Sequence, residues 1–253
     1  MQPTYRDLRE FIDLLDSAGQ LKRVSGARLD YEVGAITEVA AGLPQPPALL
    51  FDSIPGQRSG HRILTNTTVG TKCAALALGI DPELPPLAAL RAWMARRADL
   101  KFVPPELTDD VPFLENVIEG ADLDVRTLPC PIWHPADGGP YIGSGALVMT
   151  RDRDRGWVNS SIYRVQVHDA RCVTIQFDHT GRHGAMMARQ YWDRGEACPV
   201  AIVCGQDPAL FIAGFEYLPD GVSELDFAGG IKQAPVPVHI GPRTGLPIPA
   251  RAE

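Results

Sequence analysis

The sequence predicts a mixed α/β chain in two parts, an N-terminal α/β domain over residues 1–103 and a β-rich domain over 104–253. Three observations carry this. Short apolar strands alternate with amphipathic helices before Pro104. Beyond it, proline and glycine become dense and strands more frequent. Within that second part the stretch GWVNSSIYRVQVH (156–168) alternates with period two. Tyr163, Val165 and Val167 fall on one side, and Ile162, Arg164, Gln166 and His168 on the other, which is the pattern of a half-buried strand.

Taken in order, Thr4–Ala18 reads as a helix, with Thr4 as N-cap and Asp7 reaching back as in a capping box. Its stripe is Leu8, Phe11, Ile12 and Leu15, and Gly19 stops it. Leu21–Val24 is a short strand. Asp30 can cap a helix through Val33, Ile36 and Val39 that closes at Gly42. Ala48–Phe51 and Arg62–Leu64 are apolar strands. Thr71–Leu78 and Leu87–Arg97 are helices, separated by the breaker 82–86. The stretch 128–141, LPCPIWHPADGGPY, holds too many prolines for a helix or a central strand and is an extended loop. Strands follow at 142–149, 158–167 and 173–177, an antiparallel barrel or sandwich. Gly181–Gly184 opens a helix through Met186, Met187 and Tyr191. Pro199–Cys204 is a buried strand. Asp207–Pro208 is an N-cap and N1 pair, and Ser223–Glu224 starts one more helix. The proline-rich end, 235–253, shows no core element.

The totals bound the function. A chain of 253 residues with 45% hydrophobic and 22% charged residues has the balance of a globular protein. A net charge of −7 with no basic stripe argues against nucleic acid as a partner. No apolar run is long enough to cross a bilayer, and the first residues lack an apolar signal core, so no membrane partner is expected. Five cysteines without CxxC spacing fit reduced thiols in the cytoplasm better than disulfides or a zinc site.

Asn159, His183 and Glu224 offer an amide oxygen, an imidazole and a carboxylate, a donor set suited to manganese or magnesium. Each also has an ordinary role, as a turn residue, a surface histidine and an acid at a helix start. Arg164 and Arg182 can bind a phosphate, Arg182 beside the free N–H groups of a helix start. The ordinary role of Arg164 is an ion pair with a barrel acid. Trp133 and His134 either touch a substrate or cover the barrel mouth, the latter being favoured. His168 and His179 read as a turn and a strand end.

These residues, with GQLKRV, PPALLFDSIPG, LPCPIWHPADGGPYI, NSSIYR, the RHG helix start and PDGVSE, resemble the UbiD family of decarboxylases, which use prenylated FMN. The resemblance runs along the whole chain. It implies a split β-barrel that binds the flavin, behind an α/β N-terminal domain. It also implies non-oxidative, reversible decarboxylation of an aromatic or α,β-unsaturated acid. By resemblance, Asn159, His183 and Glu224 match the metal ligands, for manganese or magnesium, with potassium nearby. Ser161, Ile162, Tyr163, Arg164, Arg182, His183 and Glu224 match cofactor contacts, and Ser144 matches a hydroxyl contact. Arg164 also matches the arginine of the catalytic network. Gly143 stands where relatives often carry Thr. Family chains continue beyond this length with the proton-donor acids and a C-terminal oligomerisation domain. The chain is therefore expected to be a fragment, or one subunit that meets a C-terminal partner chain or a second copy. A flavin prenyltransferase is the implied supplier of the cofactor. Two further readings stay open: a cofactor-binding subunit inactive alone, and a flavin reductase on a similar barrel.

Overall fold

The structure, a computed structural model, describes residues 2–142, 144–177 and 181–253, so Gly143 and His179 lie outside the described residues. Three helices and three strands open the chain: α1 (Leu8–Ser17), β1 (Leu21–Ser25), α2 (Glu32–Ala41), β2 (Ala48–Ser53), β3 (Ile63–Thr65) and α3 (Thr71–Leu78). The helix α4 (Pro86–Ala98) follows. β1 and β2 run parallel across the α2 crossover, and β3 adds antiparallel to β2. The stripe Phe11, Ile12 and Leu15 is buried as its spacing predicts. The cap differs from expectation. Asp7, not Thr4, caps α1, its carboxylate accepting from Glu10 N at 2.9 Å. The reason is Tyr5, which is buried and donates its hydroxyl to Ala77 O at 2.6 Å, drawing residues 4–6 off the helix axis onto α3.

The second part carries β4 (Glu106–Leu107), β5 (Leu147–Arg151), β6 (Val158–Ile162), β7 (Arg164–Val167), β8 (Val173–Gln176), α5 (His183–Trp192) and β9 (Val200–Val203). It ends with α6 (Pro208–Ala213), α7 (Glu224–Lys232), β10 (Pro237–Ile240) and β11 (Pro247–Pro249). Its sheets run β6-β5-β9, β7-β8 and β11-β10-β4. Among the described residues these stay open and no closed barrel forms.

Three sequence expectations are corrected here. The strand 158–167 is broken at Tyr163, and its halves belong to different sheets. Ile162 N donates to Gly214 O at 3.0 Å, while the Tyr163 ring is pinned inward, edge-on to Phe177 at 4.9 Å. The alternation survives the break, since Tyr163, Val165 and Val167 are buried. The coreless end is in fact core, because Val236, Val238, Leu246 and Ala250 are buried around β10 and β11. Pro237 only opens β10, and Pro247 and Pro249 lie on an edge strand, where a missing N–H is tolerated. Among the described residues there is no closed barrel for the proline loop to cover, and the loop instead packs on the N-terminal part and walls a cavity. Asp137 accepts from Trp133 N and His134 N, Trp133 packs with Val33 and Phe51, and His134 Nε2 meets Glu38 Oε1 at 2.6 Å on α2.

The largest core joins both parts of the chain, with Ala75, Leu78 and Ile80 packed among Leu147, Met149, Leu210, Leu225 and Ile231. No described helix is long and apolar enough to cross a membrane.

Candidate functional site

Two helix starts converge on one strand. Pairing with β5 sets the register of β6, with Thr150 opposite Asn159 and Met149 opposite Ser160. Asn159 and Ser160 are fully buried. α7 begins beside them: Ser223 caps it, accepting from Leu225 N, and Glu224 is its first residue. An acid there is favoured by the helix dipole. Burial is the unusual feature, since the Glu224 side chain is almost wholly enclosed. Its Oε1 accepts from Asn159 Nδ2 at 2.7 Å and its Oε2 from Ser160 N at 2.7 Å. Burial raises the pKa of Glu224 above the ordinary value, while those donors and nearby His183 pull the other way.

An ionised carboxylate accepts only, so the Asn159 NH₂ must face Glu224. The amide Oδ1 then points elsewhere, and it is buried with no hydrogen-bond partner. An orphaned buried acceptor is costly unless something occupies it. A hard cation fits: the neighbouring groups are a buried carboxylate and an imidazole, and oxygen donors with one nitrogen suit manganese or magnesium. Among the described residues no group of three or more His, Cys, Asp and Glu forms a metal site, so this set depends on its amide.

His183 opens α5. Its ring lies edge-on to Trp157 at 4.7 Å and nearly parallel to Tyr217 at 6.2 Å, and its Nε2 is 3.1 Å from Asp220 Oδ1. Arg182 is the N-cap, with no side-chain cap bond, and is exposed at that helix end. Gly184 N donates to the Tyr163 hydroxyl at 3.3 Å. A Cβ at Gly184 would lie 2.9 Å from that hydroxyl and 2.8 Å from Phe177, so glycine alone lets α5 approach. Burial raises the Tyr163 pKa.

The structure thus brings together Asn159, Ser161, Glu224 and His183, with Tyr163 and Arg182 alongside. Ser161 Oγ accepts from Asn159 Nδ2 at 2.9 Å. Arg164 is exposed at the start of β7, opposite Gln176, and makes no ion pair among the described residues, so its ordinary role is not seen. Ile162 is half-buried against the main core. Ser144 stands apart. It lines a cavity of about 720 Å³ between β3, the proline loop and α6, whose walls include Trp133 but none of the metal- or phosphate-site candidates. Burial pushes two thiols on that wall, Cys130 and Cys204, up to about 12 and about 11, so neither is a nucleophile at neutral pH. Sequence reasoning missed Asp220, Trp157, Tyr217 and Gly184. The signal for Asp220 was its place in the turn just before the Ser223–Glu224 helix start.

The model of the 3-octaprenyl-4-hydroxybenzoate carboxy-lyase Rift-related domain matches residues 106–253, and that of the N-terminal domain of the same enzymes matches residues 12–96. The chain belongs to the UbiD family. A phenolic acid decarboxylase of Streptomyces sp. (strain D7) is 34% identical over 98% of this chain and 53% of its own length. The vanillic acid decarboxylase of Sedimentibacter hydroxybenzoicus, in its closed form, superposes with a TM-score of 0.90 at 29% identity, over 99% of this chain and 54% of that one. An evolved dimeric form of the UbiD-class enzyme HmfF from Pelotomaculum thermopropionicum, in complex with prFMN, gives 0.83 at 25%, over 98% and 56%. The chain spans about half the length of the curated relatives it matches.

Proposed function

We propose that the chain forms the cofactor-binding part of an enzyme that decarboxylates, non-oxidatively and reversibly, an aromatic or α,β-unsaturated carboxylic acid. The cofactor is prenylated FMN, held through a divalent cation. The observation that carries this reading is the buried Asn159–Glu224 contact with an orphaned amide oxygen beside it. The substrates named for the UbiD relatives, phenolic and vanillic acids, support the substrate class.

In this reading Asn159, His183 and Glu224 hold manganese or magnesium, with potassium nearby. Arg182, at the start of α5, takes the phosphate together with free N–H groups of that helix. Ser161, Ile162 and Tyr163 lie along the flavin, and Ser144 reaches it from the cavity side. Prenylated FMN, when bound, supplies the electron sink for the carbanion left as an sp² carbon loses carbon dioxide. Arg164 contributes a permanent cation free of any described carboxylate, which orients the substrate carboxylate and the cofactor phosphate side of the site. Tyr163, locked to α5, fixes the strand from which Arg164 projects. Residues 1–103 form the α/β domain and 104–253 the flavin domain, a split barrel. The partners are a small carboxylic acid, a second copy or a C-terminal chain, and a flavin prenyltransferase as supplier. The compartment is the cytoplasm.

The test is to titrate the purified chain with prenylated FMN, with and without Mn²⁺, and then assay carbon dioxide release from hydroxybenzoate-type and cinnamate-type acids. Mn²⁺-dependent flavin binding is expected, with any turnover abolished by Arg164→Ala while the fold persists by circular dichroism. Flavin binding without turnover would make the chain a cofactor-binding subunit. No flavin binding under either condition sinks the reading.

A further inference from the structure

We propose that the cavity between the two parts of the chain is a further binding site, for a flat aromatic monocarboxylate taken ring first, with its carboxylate left at the rim beside Arg62. The proposal does not depend on the cation and flavin reading, since none of the metal- or phosphate-site candidates lines this cavity. Its volume of about 720 Å³ is within the range of pockets that enclose small molecules. The floor is apolar. Ile12 of α1, Leu50 of β2 and Ile142 line the cavity and are buried. Three aromatic side chains, Trp133, Phe211 and Phe215, line it as well. Phe211 and Phe215 stand edge-on to one another at 5.0 Å. Aromatic walls favour a flat ring, which can meet them face-on or edge-on. Phe215 is 60% exposed, so it has apolar surface to cover when a ring enters.

Charge decides the head group. The acid on this wall is Glu253, and Arg9 holds it at two points, Nε to Oε1 and Nη2 to Oε2, both at 2.6 Å. The thiols of Cys130 and Cys204 stay protonated and add no negative charge. Arg62 is exposed and makes no hydrogen bond or ion pair among the described residues. The wall therefore keeps one unanswered guanidinium, and a planar carboxylate matches its fork of N–H donors. The exposure of Arg62 places it at the rim, where a carboxylate keeps part of its water. Sinking that charge onto the apolar floor would be costly, so the ring goes in and the charge stays out. His61 and Trp133, also on the wall, keep buried ring nitrogens without a hydrogen-bond partner, so the polar capacity of these residues is not used up within the chain. Both parts of the chain supply walls, α1 and β3 on one side and α6 on the other, so a bound acid bridges them.

The test is isothermal titration of the whole chain, without metal or flavin, with naphthoate and with its uncharged analogue naphthamide. It compares the wild type, Arg62→Gln and Phe215→Ala. The wild type is expected to bind naphthoate more tightly than naphthamide. Arg62→Gln should weaken naphthoate about 10-fold, the usual cost of one charge-assisted hydrogen bond, and leave naphthamide unmoved. Phe215→Ala should weaken both ligands by a similar factor. The indole N–H signal of Trp133, assigned by its loss in Trp133→Phe, should shift as naphthoate is added, which places the ligand in this cavity. A wild type that binds neither ligand, a Trp133 signal that stays still at saturation, or equal affinity for the two ligands would each overturn the proposal. So would an Arg62→Gln loss common to both ligands, because the carboxylate would then have no special partner. Arg62 and Phe215 are both exposed, so neither substitution removes core. Should Phe215→Ala nevertheless fail to fold, Arg62→Gln and the Trp133 signal decide. Failure of the flavin titration above leaves this result untouched, and the reverse holds as well.

Discussion

At the scale of single residues, the orphaned amide oxygen of Asn159 and the buried carboxylate of Glu224 are unfavourable to folding without a ligand. A cation that engages both stabilises the folded state by mass action, by about 2.7 kcal/mol at a hundredfold excess over its dissociation constant. Mn²⁺ should therefore raise the melting temperature of the wild type and leave Asn159→Ala unmoved, as read by differential scanning calorimetry. A shift of equal size in Asn159→Ala would place the ion elsewhere. His134 gives a second residue-scale expectation. Its hydrogen bond to Glu38 raises its pKa above the ordinary 6.5. A raised histidine contributes stability fully present below the unfolded value and lost as pH climbs through the folded one. Docking of the proline loop on α2 should thus loosen as pH rises past that window. The effect is small because both side chains are exposed. Hydrogen exchange at the Trp133 and His134 amides measures it, and Glu38→Gln should flatten the profile.

Secondary-structure elements divide by how local their causes are. The helix starts at Asp207–Pro208 and Ser223–Glu224 were legible because cap and first turn are adjacent in sequence, and the Asp207 carboxylate accepts from Leu210 N as expected. The α3 bounds were legible for the same reason, since Gly79 takes the left-handed conformation that ends it. The Asp7 cap, the break at Tyr163 and the strands β10 and β11 were not legible. Each depends on a partner far along the chain: Ala77 O for Tyr5, Gly214 O for Ile162, and β4 for β10. The candidate site divides likewise. Its residue types were readable, but the meeting of α7 with β6 is a tertiary event, and Asp220 looked like an ordinary turn residue. Gly184 shows how tightly these elements are fitted. A methyl group there would press on Tyr163 and Phe177, so Gly184→Ala should cost about 1–3 kcal/mol, the usual range for overpacking. Urea denaturation measures this, and the Tyr163 ring signals should shift with it. An unchanged midpoint would mean that α5 can slide away from β6 freely.

Over the whole molecule, the contacts of the two parts interlock, and they are expected to unfold as one unit. Val103 N donates to Asp226 O at 3.0 Å across the sequence boundary, and the main core draws on both sides of it. The clearest clasp is Lys232 at the end of α7. Its ammonium, nearly buried, meets Asp207 Oδ2 at 2.5 Å, donates to Arg6 O at 2.9 Å and lies over the Tyr5 ring at 5.6 Å. One side chain thus ties the N-terminal segment to α6 and α7. Removing one member of a buried pair leaves the other charge uncompensated, so Lys232→Met should cost about 3–5 kcal/mol. A second substitution separates the lost contacts from the orphaned charge. Asp207→Asn can still cap α6 through its side-chain oxygen and carries no charge. Lys232→Met combined with Asp207→Asn should therefore be more stable than Lys232→Met alone, a positive coupling read from a double-mutant cycle in urea. Loss should also appear together at probes in both parts of the chain. Separate transitions for Tyr5 and for the β10–β11 end would show that the clasp holds two independent units, and a double variant no better than the single one would show that the cost lies in the lost contacts to Arg6 and Tyr5 and not in an orphaned Asp207.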